Sequence, residues 1–157
     1  MEIETKVVDR LIQKGFHIAF AESCTGGLLC GRIVNVPNAS AVLDSSFVTY
    51  ANEAKVKYLG VREESIADYG VVSEVVAGQM AQGVAEQTQA QVGVATSGIA
   101  GPTGGSDTKP IGMVCFGFWV DGVLTTVTKQ FGDIGRNKVR EAAVQYALET
   151  VYELLNA

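Results

Sequence analysis

The run Val92-Gly93-Val94-Ala95-Thr96 is followed directly by Ser97-Gly98-Ile99-Ala100-Gly101-Pro102-Thr103-Gly104-Gly105-Ser106. The first run is apolar and predicts a buried strand, and the second is a glycine-rich loop. Glycine has a high entropy cost on ordering, so glycines crowded after a core strand indicate bare backbone N–H groups close to a ligand, often an anion. The segment Ala21-Glu22-Ser23-Cys24-Thr25-Gly26-Gly27 repeats this layout. Two such loops in one small domain favour a binding site over ordinary turns.

Outward from this loop, helices and strands alternate along the chain. Apolar, β-rich runs predict further strands at residues 16–21, 47–50, 113–120 and 123–128. The last two are joined by Asp121-Gly122, a strong signal for a two-residue hairpin. Apolar residues at helical spacing predict helices at 3–12, 28–34, 52–59 with Asn52 as the cap, 63–69, from Ser73 onward, and 139–154. This order predicts a single three-layer α/β/α domain with a mixed sheet over residues 1–157.

The composition disfavours two classes of binding partner. A chain of 157 residues with 47% hydrophobic and 18% charged residues is typical of one globular domain. Its formal net charge is −5, and its only dense basic cluster is Arg136, Lys138 and Arg140. Nucleic acid and anionic membranes require a larger basic face, so we expect neither as the main partner. The cluster is sufficient for one phosphate group.

The first residues, the apolar runs and the cysteines indicate the cellular compartment of the protein. The first six residues are charged and amphipathic and lack the apolar core of a signal peptide. No apolar run approaches the ~20 residues that a membrane span requires. Cys24, Cys30 and Cys115 are odd in number and lack metal-ligand spacing, which predicts reduced thiols. We therefore expect a cytoplasmic protein.

Several common chemistries are disfavoured. His17 is the only histidine and lies in a predicted strand, so a structural role is favoured over a catalytic triad or a zinc site. The loop ending Gly104-Gly105-Ser106 lacks the lysine of a phosphate-binding loop, and its glycines lack the dinucleotide spacing. A hydroxyl or thiol nucleophile with a lysine base remains. The candidates are Ser40 in a polar turn, Cys24 before a glycine pair, and Lys55 early in a helix, and spacing does not choose among them.

Five motifs in order carry a family resemblance: residues 21–27, 47–55, 72–74, 97–105 and 109–112. Together they resemble the C-terminal domain of the CinA, or competence/damage-inducible, family over nearly the whole chain. Stand-alone members of this family include the PncC-type nicotinamide mononucleotide (NMN) deamidases. The resemblance implies hydrolysis of the NMN carboxamide to nicotinic acid mononucleotide and ammonia, in pyridine nucleotide salvage. It implies neither a metal nor an organic cofactor, and it suggests a homodimer.

The resemblance also implies roles for individual residues. It matches Ser40 to the nucleophile and Lys55 to its base, with backbone N–H groups of a glycine loop holding the oxyanion. It implies contacts with the nucleotide from two loops, the end of one strand and the start of the last helix: Ser23, Thr25, Gly26, Tyr50, Ser97, Gly98, and Arg136 or Arg140 for the phosphate. The alternative is a catalytically silent relative that binds only a nucleotide or a partner. A third hypothesis is an accessory protein in DNA processing, but the excess of acidic over basic residues argues against it.

Overall fold

Five strands form one mixed sheet in the computed structural model, which describes residues 1–157. They are β1 (Ile18–Glu22), β2 (Phe47–Val48), β3 (Val92–Gly98), β4 (Met113–Val120) and β5 (Val123–Gln130). Their order in the sheet is β2-β1-β3-β4-β5. The strand β1 pairs in parallel with β2 and β3, whereas β3–β4 and β4–β5 are antiparallel. The mixed sheet expected from the sequence is therefore confirmed.

The predicted hairpin joins β4 to β5. Asp121 has φ 47° and Gly122 has φ 89°, so both central residues occupy the left-handed region. That conformation is the one required by the two-residue turn whose twist matches antiparallel strands. The pairing runs from Val120–Val123 at the turn to Met113–Gln130 at the far end.

Six helices cover the two faces of the sheet. They are α1 (Ile3–Lys14), α2 (Leu28–Val34), α3 (Asn52–Leu59), α4 (Glu63–Tyr69), α5 (Glu74–Thr88) and α6 (Arg136–Leu155). Side chains of α1, α2 and α6 share one buried cluster, while those of α3 and α5 belong to a second. In β1, Phe20 belongs to the first cluster and its neighbours Ala19 and Ala21 to the second. Burial on both faces explains why this strand is a continuous apolar run.

Local sequence signals set most helix and strand boundaries, but two predicted boundaries are wrong. The helix predicted from Ser73 onward is α5, and Ser73 is its cap, because its hydroxyl accepts a hydrogen bond from the Val76 N–H at 3.2 Å. Asn52 is the first residue of α3 and not its cap, since Ala51 holds that position without a side-chain hydrogen bond. The predicted strand at 47–50 is only two residues long. No helix in the structure combines the length and apolar character needed to cross a lipid bilayer.

The helix α5 packs with its backbone directly on the sheet. A Cβ atom added to Gly117 would lie 2.2 Å from the carbonyl oxygen of Ala77, and one added to Gly93 would lie 2.2 Å from that of Ala81. Backbone atoms cannot rotate out of the way as a flexible side chain can. Glycine at these two strand positions therefore sets how closely α5 approaches β3 and β4.

We expect Gly117→Ala to lower the free energy of unfolding by about 2–3 kcal/mol, because the added methyl overpacks a backbone contact. Gly31→Ala is the control, since Gly31 lies in α2 with nothing within 4 Å of its added Cβ. That variant should be more stable by about 0.5–1 kcal/mol. Urea titrations followed by circular dichroism measure both effects. Equal stability of the two variants would contradict the close approach.

Candidate active site

A pocket lies at the carboxyl ends of β1 and β3. These strands are parallel neighbours, and in such sheets ligands bind where the chain leaves the strands in opposite directions. The pocket has a volume of about 220 Å³. It is lined by one residue after β1, one residue after β2, the glycine-rich loop and the first residue of α6: Cys24, Tyr50, Gly98, Ile99, Ala100, Gly101, Thr103, Gly104 and Arg136.

A buried lysine reaches this edge of the sheet from α3. The Lys55 Nζ donates to the hydroxyl of Ser23 at 3.2 Å, to the carbonyl of Thr49 at 2.6 Å and to that of Tyr50 at 3.3 Å. The side chain is only 1% exposed, and no carboxylate is hydrogen-bonded to it. Burial lowers the pKa of Lys55 from its ordinary value of 10.5. The result is a lysine next to a serine hydroxyl, with a reduced tendency to carry charge.

The geometry of α3 explains this placement. Side chains of an α-helix tilt toward its N-terminus, and Lys55 lies in the first turn of α3. Its ammonium group therefore meets the carbonyls of Thr49 and Tyr50, which precede the helix. The Thr49 N–H donates to the Glu22 carbonyl at 2.9 Å. This bond brings the segment after β2 beside Ser23, which directly follows β1.

Ser40 lies elsewhere. It is exposed on a single 3₁₀ turn, Ala39–Ala41. Two residues later, the Val42 carbonyl accepts a hydrogen bond at 2.8 Å from Ile18, the first residue of β1. Ser40 is therefore near the amino end of β1, whereas the Lys55 ammonium group is near its carboxyl end. The strand itself spans about 13 Å at ~3.3 Å per residue. The pairing of Ser40 with Lys55 expected from the resemblance is corrected: the hydroxyl beside Lys55 is that of Ser23.

Cys24, the alternative nucleophile, lines the pocket but is 6% exposed. Burial raises the pKa of its thiol to about 11, although a hydrogen bond with Thr96 and the Arg140 charge act in the opposite direction. The reactive thiolate is therefore a minor form at neutral pH. His17 is remote from the pocket and pairs with Asp44 through Nδ1 at 3.0 Å, in agreement with a structural role.

A buried carboxylate holds the loop that follows β1. Glu22 is fully buried; its Oε1 accepts from the Thr25 hydroxyl at 2.6 Å and from the Leu29 N–H at 2.9 Å. Its Oε2 accepts from the Cys30 N–H at 3.0 Å. The Thr25 hydroxyl also lies 2.9 Å from that of Thr96. The Thr25 side chain is thus turned into the protein, and the ligand contact expected of it is not available to its hydroxyl.

The two arginines of α6 have separate partners. Arg136 donates from Nη1 to the Gly101 carbonyl at 2.8 Å and from Nη2 to the Tyr50 hydroxyl at 2.9 Å, at the edge of the pocket. Arg140 donates from Nε to the Cys24 carbonyl at 2.9 Å and from Nη2 to that of Thr25 at 3.2 Å. Of the two, only Arg136 lines the pocket.

Of three further residues predicted to contact the ligand, one lines the pocket and two do not. Gly98 lines the pocket. Ser97 is 1% exposed and its hydroxyl donates to the Val71 carbonyl at 2.8 Å, so this side chain supports the wall from behind instead of facing a ligand. Gly26 is exposed, and its N–H donates to the Ser23 carbonyl at 3.0 Å within the loop.

Comparison with known proteins identifies the family and the fold of the chain. The family model of the CinA C-terminal domain matches residues 1–155. The chain belongs to this family. Among solved CinA structures, the competence/damage inducible protein CihA from Agrobacterium tumefaciens is 40% identical with a TM-score of 0.91, over 100% of this chain and 98% of that one. The CinA C-terminal fold is thus shared along the full chain.

Curated CinA relatives are longer proteins. A competence-damage inducible protein of Caldicellulosiruptor saccharolyticus is 48% identical over 95% of this chain and 36% of its own length. A CinA-like protein of Desulforapulum autotrophicum is 50% identical over 84% of this chain and 31% of its own length. The chain therefore spans about a third of the curated relatives that it matches.

Proposed function

We propose that this CinA-type domain is an amidohydrolase that converts NMN and water to nicotinic acid mononucleotide and ammonia. Ser23 is the nucleophile and Lys55 the base. The observation that carries the proposal is the 3.2 Å contact between the Lys55 Nζ and the Ser23 Oγ, made by a buried lysine without a carboxylate partner. An amide is a poor electrophile, so its hydrolysis requires an activated nucleophile and a proton for the leaving nitrogen.

The first half of the reaction forms an ester with the enzyme. Neutral Lys55 takes the Ser23 hydroxyl proton as Oγ attacks the carboxamide carbon, and the carbonyl oxygen becomes an oxyanion. The carbon–nitrogen bond then breaks, and the nitrogen leaves as ammonia with the proton from Lys55. The carbonyls of Thr49 and Tyr50 hold the Lys55 amine in place for both transfers.

The second half releases the acid. Water attacks the ester carbon while Lys55 accepts one of its protons, and Lys55 returns that proton to Ser23 Oγ as the ester bond breaks. The products are the nucleotide carboxylic acid and free enzyme, which balances the overall consumption of one water molecule. No step needs a metal or an organic cofactor.

The pocket supports a pyridine nucleotide as the substrate. The pyridinium ring of NMN is cationic, and the exposed ring of Tyr50 offers an aromatic face for it. Arg136 uses two guanidinium nitrogens in the contacts described above, and its remaining N–H groups are free for a phosphate. We propose that Arg136, and not Arg140, meets the 5′-phosphate. This choice follows from which arginine lines the pocket.

Ammonia release tests the proposal most directly. Purified protein is incubated with NMN, and ammonia and nicotinic acid mononucleotide are quantified in parallel with nicotinamide, which lacks the ribose phosphate. We expect equal amounts of both products from NMN and much slower release from nicotinamide. No release from NMN above the blank would reject NMN as the substrate. If NMN then raised the melting temperature without reacting, the domain would be a binding module instead.

A further inference from the structure

We infer that the backbone N–H group of Cys24 holds the oxyanion, and that Arg140 is the positioning residue that aims it through the loop. This inference rests on the hydrolytic function proposed above. The sequence allowed either glycine loop as the source of the donor, and the inference assigns it to the loop that carries Ser23 itself.

Two consecutive N–H groups after Ser23 are free. The Ser23 N–H donates to the Thr96 carbonyl at 3.2 Å, and the Gly26 N–H donates to the Ser23 carbonyl at 3.0 Å. Between them, the N–H groups of Cys24 and Thr25 donate to no oxygen or nitrogen of the protein; the thiol sulfur of Cys24 is the sole acceptor beside its own N–H. Thr25 is fully buried, whereas Cys24 lines the pocket, so the Cys24 N–H is the one of the two that a ligand oxygen can reach. Backbone N–H groups without partners are rare in folded proteins, and a free one beside a nucleophile indicates a site for a bound oxygen.

Arg140 fixes the direction of the Cys24 N–H through the peptides that follow it. In a planar trans peptide, the carbonyl of one residue and the N–H of the next point in opposite directions. Because the Arg140 Nε draws the Cys24 carbonyl toward α6, the Thr25 N–H points away from Arg140. The Nη2 contact with the Thr25 carbonyl fixes the following peptide in the same way. That peptide carries the Gly26 N–H, whose bond to the Ser23 carbonyl fixes in turn the peptide that carries the Cys24 N–H.

The loop is also fixed from its other side. The Glu22 carboxylate binds the Thr25 hydroxyl and the first turn of α2, so the chain cannot rotate freely about residues 24–26. In hydrolases with a nucleophile on a strand-to-helix turn, the N–H of the residue after the nucleophile contributes to the oxyanion site. Ser23 occupies the same kind of turn, between β1 and α2.

A competing role for Arg140 is a phosphate ligand, as the sequence allowed. Three of its five N–H groups are already used: those of Nε and Nη2 by the two carbonyls, and that of Nη1 by the Asn137 side-chain oxygen at 3.1 Å. Arg140 also does not line the pocket, in contrast to Arg136. The two roles predict different effects on substrates with and without a phosphate.

The test compares Arg140→Met and Arg140→Lys with Lys138→Met, which removes a charge from an exposed side chain of α6 that makes no hydrogen bond. Steady-state rates are measured on NMN and on nicotinamide riboside, which lacks the phosphate. We expect Arg140→Met to lower kcat by about 100-fold or more on both substrates with KM within about threefold, because a lost oxyanion donor costs about 10²–10³ in rate. Arg140→Lys should retain part of the rate, and Lys138→Met all of it. A rise in KM confined to NMN, or an equal loss in Lys138→Met, would overturn the inference.

A second readout does not depend on NMN. A fluorophosphonate reacts with an activated serine: Lys55 takes the Ser23 hydroxyl proton, Ser23 Oγ bonds to phosphorus, fluoride leaves, and the phosphoryl oxygen occupies the oxyanion site. Labelling is measured by mass spectrometry on variants whose circular dichroism confirms folding. Slower labelling of Arg140→Met and normal labelling of Lys138→Met would support the inference even if NMN were not hydrolysed, in which case only the substrate proposal fails. Equal labelling of Arg140→Met and the parent protein would reject the role of Arg140, and absence of any Ser23 labelling would reject both proposals.

Discussion

Ser23→Ala is expected to lower kcat for NMN hydrolysis by at least about 10³-fold, whereas Ser40→Ala stays within about twofold of the parent protein. The two serines differ in their position relative to Lys55. Ser23 Oγ is 3.2 Å from the Lys55 Nζ, while Ser40 is exposed near the opposite end of β1. Ammonia release under saturating NMN measures both effects, and both replacements remove only one hydroxyl.

Cys24→Ala completes this comparison, because the thiol is the other candidate on the same loop. Its raised pKa predicts that the variant keeps most of the activity. Loss of activity in Ser40→Ala with retention in Ser23→Ala would restore the pairing expected from the resemblance. Loss in Cys24→Ala alone would transfer the nucleophile to the thiol.

Lys55→Met should lose at least about 10³-fold in kcat, and Lys55→Arg should not restore it, because a guanidinium group does not give up its proton in the accessible pH range. Lys57→Met is the matched control, since Lys57 is an exposed lysine on the same helix. Substantial activity in Lys55→Arg would show that charge alone, and not proton transfer, is required at this position.

The lowered pKa of Lys55 predicts how kcat/KM and stability depend on pH. Burial lowers the pKa of Lys55 below 10.5, so the neutral base is present above that lowered pKa and is lost as the pH falls through it. The kcat/KM of the parent protein should therefore rise with pH along a single limb whose midpoint lies below 10.5. The unfolded chain binds this proton more tightly than the folded one, so the free energy of unfolding should also rise with pH between the two pKa values.

Much of the fold was predictable because its signals are local. Apolar runs, the helix start at Ser73 and the Asp121-Gly122 turn each act over a few residues, and each forms as expected. The end of β2 was not predictable in this way. The carbonyls of Thr49 and Tyr50 bind Lys55 and continue no strand.

The site was harder because its contacts join distant parts of the chain. Lys55 and Ser23 are 32 residues apart and meet only because β1 and β2 pair in parallel. A signal for Ser23 was nevertheless present in the sequence: it directly follows a core strand and precedes a glycine pair, the layout of a nucleophile turn. No local pattern distinguishes Arg136 from Arg140, since only the docking of α6 gives the two side chains different partners.

The position of Arg140 in the chain has a consequence for synthesis. Ser23 and Lys55 leave the ribosome early, and the strands that bring them together are complete before α6 is made. The guanidinium group that orients the intervening peptides arrives only with this last helix. Seven residues of α6 are also buried in the core that covers one face of the sheet. Activity should therefore begin only after the whole chain is made and α6 docks against the finished sheet.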